Sequence, residues 1–165
     1  MMFKFKLLTA DDFPLMLGWL SKDHVKEWWN DADDTLEKVA LHYGANDETE
    51  RFILYEKDEE KEIPIGYFQY YFADDDSIGI DQFIGEKDYL NRGIGTRAIK
   101  IFVEMIARRH RPARIILDPS PENKRAVRCY EKVGFKYYEN RHTGDGSLAY
   151  MMRLEIFPIE NQPET

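Results

Sequence analysis

Apolar and polar residues alternate at the start of the chain. Met2-Phe3-Lys4-Phe5-Lys6-Leu7 has the period of a strand, and Thr9-Ala10-Asp11-Asp12 then offers a helix start ahead of Phe13 to Leu20. After Val25 to Asn30 and the acidic segment Asp31-Ala32-Asp33-Asp34, a second helical stretch runs roughly from Thr35 to Tyr43, and the two helices read as a lid. Arg51 to Glu56 and Pro64 to Phe72 read as a hairpin with the charged turn Lys57-Asp58-Glu59-Glu60-Lys61. Ser77 to Ile84, after the turn Asp74-Asp75-Asp76, is the next strand.

The second half returns to helical spacing. A helix from about Gly93 to Arg109 places Ile94, Ala98, Ile101, Phe102 and Met105 on one stripe, with Arg97, Lys100, Glu104 and Arg108 opposite. Arg114 to Asp118 is a short apolar run with prolines nearby on both sides, as a buried strand would be. Ser120 can cap a helix that has Pro121 at its first position, runs to Val133 and stops at Gly134. Phe135 to Tyr138 and Leu148 to Leu154 follow as strands across Thr143-Gly144-Asp145-Gly146. The order is strand, two helices, three strands, helix, strand, helix, two strands, which predicts a mixed α+β fold with a mixed sheet flanked by helices. Residues 1–157 read as a single domain and Pro158 to Thr165 as a flexible tail.

Composition narrows the partners. No apolar run reaches the roughly 18 residues of a membrane span, and Met1-Met2-Phe3-Lys4-Phe5-Lys6 lacks the features of a signal peptide, so the expected address is the cytoplasm, with no membrane partner. Cys129 is the only cysteine, which excludes an internal disulfide and a Cys-rich zinc site. Because it lies on a predicted helix with no neighbouring histidine, it reads as packing. His24, His42, His110 and His142 are too far apart in sequence for a local metal motif, so no metal is expected. The net charge of −8 is uneven: residues 1–85 carry 8 Lys and Arg against 20 Asp and Glu, and residues 86–165 carry 15 against 11. A cationic second half suits a phosphate-bearing ligand, whereas an acidic first half suits a polycation. Nucleic acid is disfavoured, because there is no overall basic balance.

Leu90-Asn91-Arg92-Gly93-Ile94-Gly95-Thr96 concentrates the chemistry. Two glycines one residue apart close a turn into a long helix, whose first N–H groups have no intrahelical partner and carry roughly half a positive charge, so a diphosphate can bind there. Glycine matters because a side chain would block the approach. Neither the G-x-G-x-x-G of a dinucleotide site nor the G-K-[S/T] of a P-loop is present.

With this order of elements, Asn91-Arg92-Gly93-Ile94-Gly95-Thr96, Asn123-Lys124-Arg125-Ala126 and Tyr130-Glu131-Lys132-Val133-Gly134-Phe135 resemble the motifs of the GNAT acetyltransferases, and the resemblance covers most of the chain. Within that superfamily Glu27-Trp28-Trp29, Pro64-Ile65-Gly66-Tyr67, Ile80-Asp81-Gln82 and Asp118-Pro119-Ser120-Pro121-Glu122-Asn123 are similar to aminoglycoside 6′-N-acetyltransferases. Leu90 departs from the Gln or Arg often found there, which places more of the phosphate affinity on backbone N–H groups and Arg92. The resemblance implies a GNAT-like fold: a twisted mixed sheet of about seven strands, about four helices, and a splay between the fourth and fifth strands. It implies acetyl-CoA as co-substrate, held by Ile84, Arg92, Gly93, Ile94, Gly95, Thr96, Asn123 and Arg128. The pantetheine then runs between strand Ser77 to Ile84 and strand Arg114 to Asp118 and pairs with main-chain groups as an added strand would.

The acceptor is an amine, which must lose a proton before it attacks. Asp81 is the candidate to take or position it, and Tyr130 the candidate donor to the departing thiolate. Gly79 would permit a bulge that aims an N–H at the thioester oxygen, its alternative being a simple twist of the strand. Trp28, Trp29, Asp74, Asp81 and Asp118, with the acidic residues Asp31, Asp33 and Asp34, offer aromatic faces and carboxylates for a polycationic small molecule. The expected enzyme acetylates an aminoglycoside or a similar amine. The alternatives are lysine-like amines of proteins or hydroxamate siderophore precursors, and a non-catalytic acyl-CoA-binding module. It would act as a monomer or homodimer.

Overall fold

A computed structural model describes residues 2–156. The strands are β1 (Met2–Leu7), β2 (Glu50–Lys57), β3 (Glu62–Phe72), β4 (Ser77–Ile84), β5 (Arg114–Leu117), β6 (Lys136–His142) and β7 (Leu148–Glu155). The helices are α1 (Phe13–Leu20), α2 (Asp23–Lys26), α3 (Leu36–Tyr43), α4 (Ile94–His110) and α5 (Lys124–Val133). The strands form one sheet in the order β1-β2-β3-β4-β5-β7-β6. β1–β2, β2–β3, β5–β7 and β6–β7 pair antiparallel, and β4–β5 pair in parallel. This is the expected mixed sheet of seven strands. The parallel pairing joins Ser77, Ile78 and Gly79 to Arg114, Ile115 and Ile116, so β4 continues five residues past its last paired position.

The described residues fold as two compact units, 2–70 with Asp81–Ile94, and Tyr71–Ile80 with 95–156. The core of the first joins Met16, Trp19 and Leu20 of α1 to Val25, Val39, Tyr43, Ile53 and Tyr67, all buried. Trp29, Tyr43 and Phe83 pack their rings on Tyr67 at centroid distances of 5.8, 5.4 and 5.5 Å, a cluster that dry aromatic surface stabilises. In the second unit Ile99, Phe102, Val103 and Ile106 of α4 are buried, as are Ile115, Leu117, Phe135, Met151 and Met152.

Three sequence expectations change. The fold has five helices where about four were expected, because the one-turn α2 lies between α1 and α3. Ile94, Ala98 and Phe102 of the expected stripe are buried, but the buried arc of α4 is turned by about 70° from that stripe at 100° per residue, so Ile101 is exposed and Ile99, Val103 and Ile106 are inside. α5 starts at Lys124 and not at Pro121: Ser120 accepts from the Asn123 N–H in a turn, and the Asn123 side chain caps the helix by accepting from Ala126 N–H. Gly134 ends α5 at φ 119° as anticipated. The expected flexible tail lies outside the described residues.

Candidate active site

The segment after β4 is held from three sides within its unit. The N–H of Gly85 donates to the carbonyl of Ile65 at 2.8 Å, Trp19 Nε1 donates to Glu86 Oε1 at 2.7 Å, and Lys22 Nζ reaches Glu86 Oε2 at 3.3 Å. These contacts anchor a 3-10 turn, Lys87–Tyr89, from which the chain enters α4 through two left-handed residues, Asn91 at φ 60° and Gly93 at φ 72°. Asn91, Arg92 and Gly93 are exposed, and the Arg92 guanidinium lies 5.3 Å from the centre of the Tyr89 ring. A β-carbon on Gly93 would find nothing within 4 Å. Backbone handedness therefore favours glycine here, and no neighbouring side chain or main chain crowds the position. The first N–H groups of α4 follow this turn, and by helix geometry they lack intrahelical acceptors.

Thr96 Oγ1 and Cys129 Sγ are 3.3 Å apart, and a β-carbon on Gly95 would stand 3.7 Å from the same sulfur. Cys129 thus packs the first turn of α4, and burial pushes its thiol up, which suits a structural thiol and not a nucleophile. Tyr130, half-buried on α5, sets its ring against Phe135 at 6.2 Å. Arg128 and Asp118 are exposed, and Ile84 is half-buried. The Asn123 carboxamide oxygen is engaged by its own helix cap.

Asp81 is half-buried on β4, and Gln69 Nε2 donates to its Oδ2 at 3.1 Å. Gln69 Oε1 accepts from the hydroxyl of the fully buried Tyr67 at 2.6 Å. The positive charge of Arg51 acts on the Tyr67 phenol against the effect of burial, and its guanidinium donates to Asp47 Oδ1 and Oδ2 at 2.9 and 3.0 Å. Tyr67, Gln69 and Arg51 were not singled out from sequence. The signal was a Gln two residues from a Tyr on one face of the otherwise apolar strand Ile65 to Phe72. Gly79 belongs to the parallel ladder, opposite Ile116, and the space left by its missing side chain is filled by the Tyr71 ring, whose nearest atom would stand 2.3 Å from a β-carbon. That geometry gives the twist-and-packing alternative for Gly79 in place of a bulge.

The expected aromatic and acidic residues divide by role. Trp28 is exposed, whereas Trp29 donates from Nε1 to the Tyr43 hydroxyl at 3.1 Å and packs on Tyr67 and Phe83. Asp33 Oδ2 lies 2.7 Å from His42 Nδ1 and Asp34 Oδ1 accepts from Lys38 Nζ at 2.7 Å, so both carboxylates tie the loop to α3. Asp31, Asp33 and His42 each bring a ligand atom within 4.8 Å of the others, a proximity that spacing along the sequence did not reveal. The hollow beside Trp29 and Asp31 measures about 60 Å³, room for a few waters and not for a sugar ring. Asp74 accepts from the N–H of Asp76 at 2.9 Å, which closes its own turn and holds its carboxyl below the usual range.

A family profile described as "Acetyltransferase (GNAT) domain" matches residues 9–143. The chain is 33% identical over 166 residues to the aminoglycoside N(6′)-acetyltransferase type 1 of Klebsiella pneumoniae, covering 90% of this chain and 81% of that one. A kanamycin resistance protein of Rhizobium radiobacter is 40% identical over 75 residues, 46% of this chain and 69% of that one. Among solved structures, AAC(6′)-Ib in complex with ribostamycin and coenzyme A superimposes with a TM-score of 0.84 at 30% identity, covering 98% of each chain. The aminoglycoside N(6′)-acetyltransferase of Legionella pneumophila superimposes with a TM-score of 0.75 at 27% identity, covering 93% of this chain and 91% of that one.

Proposed function

Since this chain belongs to the GNAT acetyltransferase family, we propose that it transfers the acetyl group of acetyl-CoA to a primary amine of an aminoglycoside, by direct attack in a ternary complex. The observation that carries this reading is the 33% identity over 90% of the chain to an enzyme named for that reaction.

The diphosphate of the coenzyme sits on the turn Arg92 to Thr96, where the exposed left-handed Gly93 leaves the approach open and main-chain N–H groups point outward. Ile84, Asn123 and Arg128 contact the rest of the coenzyme. Asp81 holds the acceptor ammonium, with Trp28, Trp29, Asp74 and Asp118 contributing to its recognition. Once a proton has left, the amine nitrogen attacks the thioester carbon, a C–N bond forms, and the C–S bond breaks. The sulfur leaves with the electron pair, stabilised by a hydrogen bond from Tyr130, and takes up the second proton released by the attacking nitrogen, so that coenzyme A departs as a thiol and the net reaction from the ammonium releases one proton. No helix among the described residues is long and apolar enough to cross a membrane. Acetyl-CoA is made in the cytoplasm, and the enzyme works there as a monomer or homodimer.

The test is a thiol-release assay with kanamycin, ribostamycin, spermine and a lysine peptide. Aminoglycosides should give the highest kcat/KM, and Asp81→Asn should cut turnover while leaving coenzyme A affinity nearly intact. Acetylation of the peptide or spermine alone would overturn the substrate assignment, and equal loss of turnover and affinity in Asp81→Asn would make Asp81 a folding residue.

A further inference from the structure

A carboxamide turned through 180° exchanges its donor and its acceptor, so an unrestrained glutamine beside a carboxylate would be free to present the wrong end. Gln69 is restrained. Burial pushes the Tyr67 phenol above its usual range, so it keeps its proton, and the Asp81 carboxylate can only accept, so the end of the amide that faces it is the donor. The phenol proton therefore goes to Gln69 Oε1, at 2.6 Å, and Nε2 is left facing Asp81 Oδ2, at 3.1 Å. The result is a chain of hydrogen bonds with one direction, Tyr67 to Gln69 to Asp81.

We infer that Gln69, locked in one orientation by Tyr67, is a positioning residue that sets the plane of the Asp81 carboxylate toward the acceptor amine. The inference rests on the proposal that Asp81 holds that amine. An amide is suited to the task because it supplies a hydrogen bond without a charge, so it orients the carboxylate without neutralising it. A guanidinium or ammonium in its place would compete with the substrate's own cations.

The experiment measures kcat and KM for kanamycin and acetyl-CoA, with melting temperature, in Gln69→Leu, Tyr67→Phe, Asp81→Asn and the double variants. Gln69→Leu should lower kcat about tenfold or more, leave KM for acetyl-CoA within about twofold, and have no further effect on the residual turnover of Asp81→Asn. Tyr67→Phe, which removes one oxygen and leaves every carbon in place, should show a smaller loss of the same kind that disappears once Gln69 is Leu, and it carries the test if Gln69→Leu does not fold. Wild-type kcat in Gln69→Leu, or a loss undiminished in the Asp81→Asn background, would overturn the inference. An unsubstituted enzyme inactive on every aminoglycoside would instead overturn the functional proposal.

Discussion

Gly93 separates two effects that substitutions at a phosphate-binding turn usually mix. Its φ is 72°, and the place its β-carbon would occupy is empty to 4 Å, so a side chain there costs only backbone handedness. That cost is about 1–2 kcal/mol for most residues and less for Asn and Asp, which enter this region more readily. Gly93→Asn and Gly93→Asp therefore have nearly the same shape and strain and differ by one negative charge. In the free protein that charge meets the positive end of α4 and is favourable by about 0.3–1 kcal/mol. With coenzyme A bound, it faces a diphosphate of about two negative charges at about 6 Å, which at an effective dielectric of about 40–80 costs about 1.4–2.8 kcal/mol. The Asp variant should thus melt at the same temperature as the Asn variant or higher, yet bind coenzyme A about ten- to a hundredfold more weakly. Titration calorimetry and thermal melting, each at low and high salt, read both quantities, and the affinity gap should narrow as salt rises. Equal affinity in the two variants, or a gap indifferent to salt, would refute placement of the diphosphate on this turn.

Gly85→Ala should lower stability by about 1–3 kcal/mol, read as a lower urea midpoint, because the new β-carbon would stand 2.2 Å from the ring of Trp19, which is 1% exposed. Asp47 donates no proton to Arg51 but accepts from it, and this hydrogen bond holds its carboxyl below the ordinary 3.8, so the pair's contribution is complete above that value and is lost as pH falls through the lower native one. Asp47→Asn should accordingly cost about 1 kcal/mol at pH 7, the 44% exposure of Asp47 keeping it small, and the difference from the unsubstituted protein should vanish once the pH has fallen below the lowered native value; a pH-independent difference in urea midpoint would contradict this origin.

Elements that announce themselves through period and punctuation were legible along the chain. β1 and β4 have the boundaries that alternation and the acidic turn imply, and Gly134 stops α5 where a left-handed residue is needed. Ser120 and Asn123 both have capping side chains, and only the folded turn decides between them: the N–H of Asn123 bonds back to Ser120, so the helix begins one turn later than Pro121 suggested. The rotation of α4 was likewise undetermined, because Ile94, Ile99, Ile101, Val103, Met105 and Ile106 supply apolar residues around most of its circumference. At the site, the resemblance of Ile80-Asp81-Gln82 to the acetyltransferase motif marked Asp81. Its support was not so marked, since Gln69 and Tyr67 lie 12 and 14 residues away in sequence and reach it only because β3 lies beside β4 in the sheet. The same is true of Asp33 and His42, which a helix and a loop bring to 2.7 Å.

The support for Asp81 also bears on how the acceptor loses its proton. An amine of pKa near 8 to 9 is about 1–10% unprotonated at pH 7, so using the free fraction costs only about 1.4–2.7 kcal/mol. That penalty is small beside the barrier that alignment removes, about 7–11 kcal/mol where two reactants are held in place. In the proposed reading, the Asp81 carboxylate braced by a neutral amide serves alignment: it gathers the ammonium, keeps the nitrogen in place while the proton leaves, and requires no strong base. On this account kcat/KM should rise with pH until the acceptor's own ionisation is complete, and less basic amines should reach their plateau at lower pH. Aminoglycosides whose reacting amines differ in basicity supply the comparison. A single profile shared by all of them would assign proton removal to a group on the enzyme and leave the Gln69–Asp81 contact as structural support.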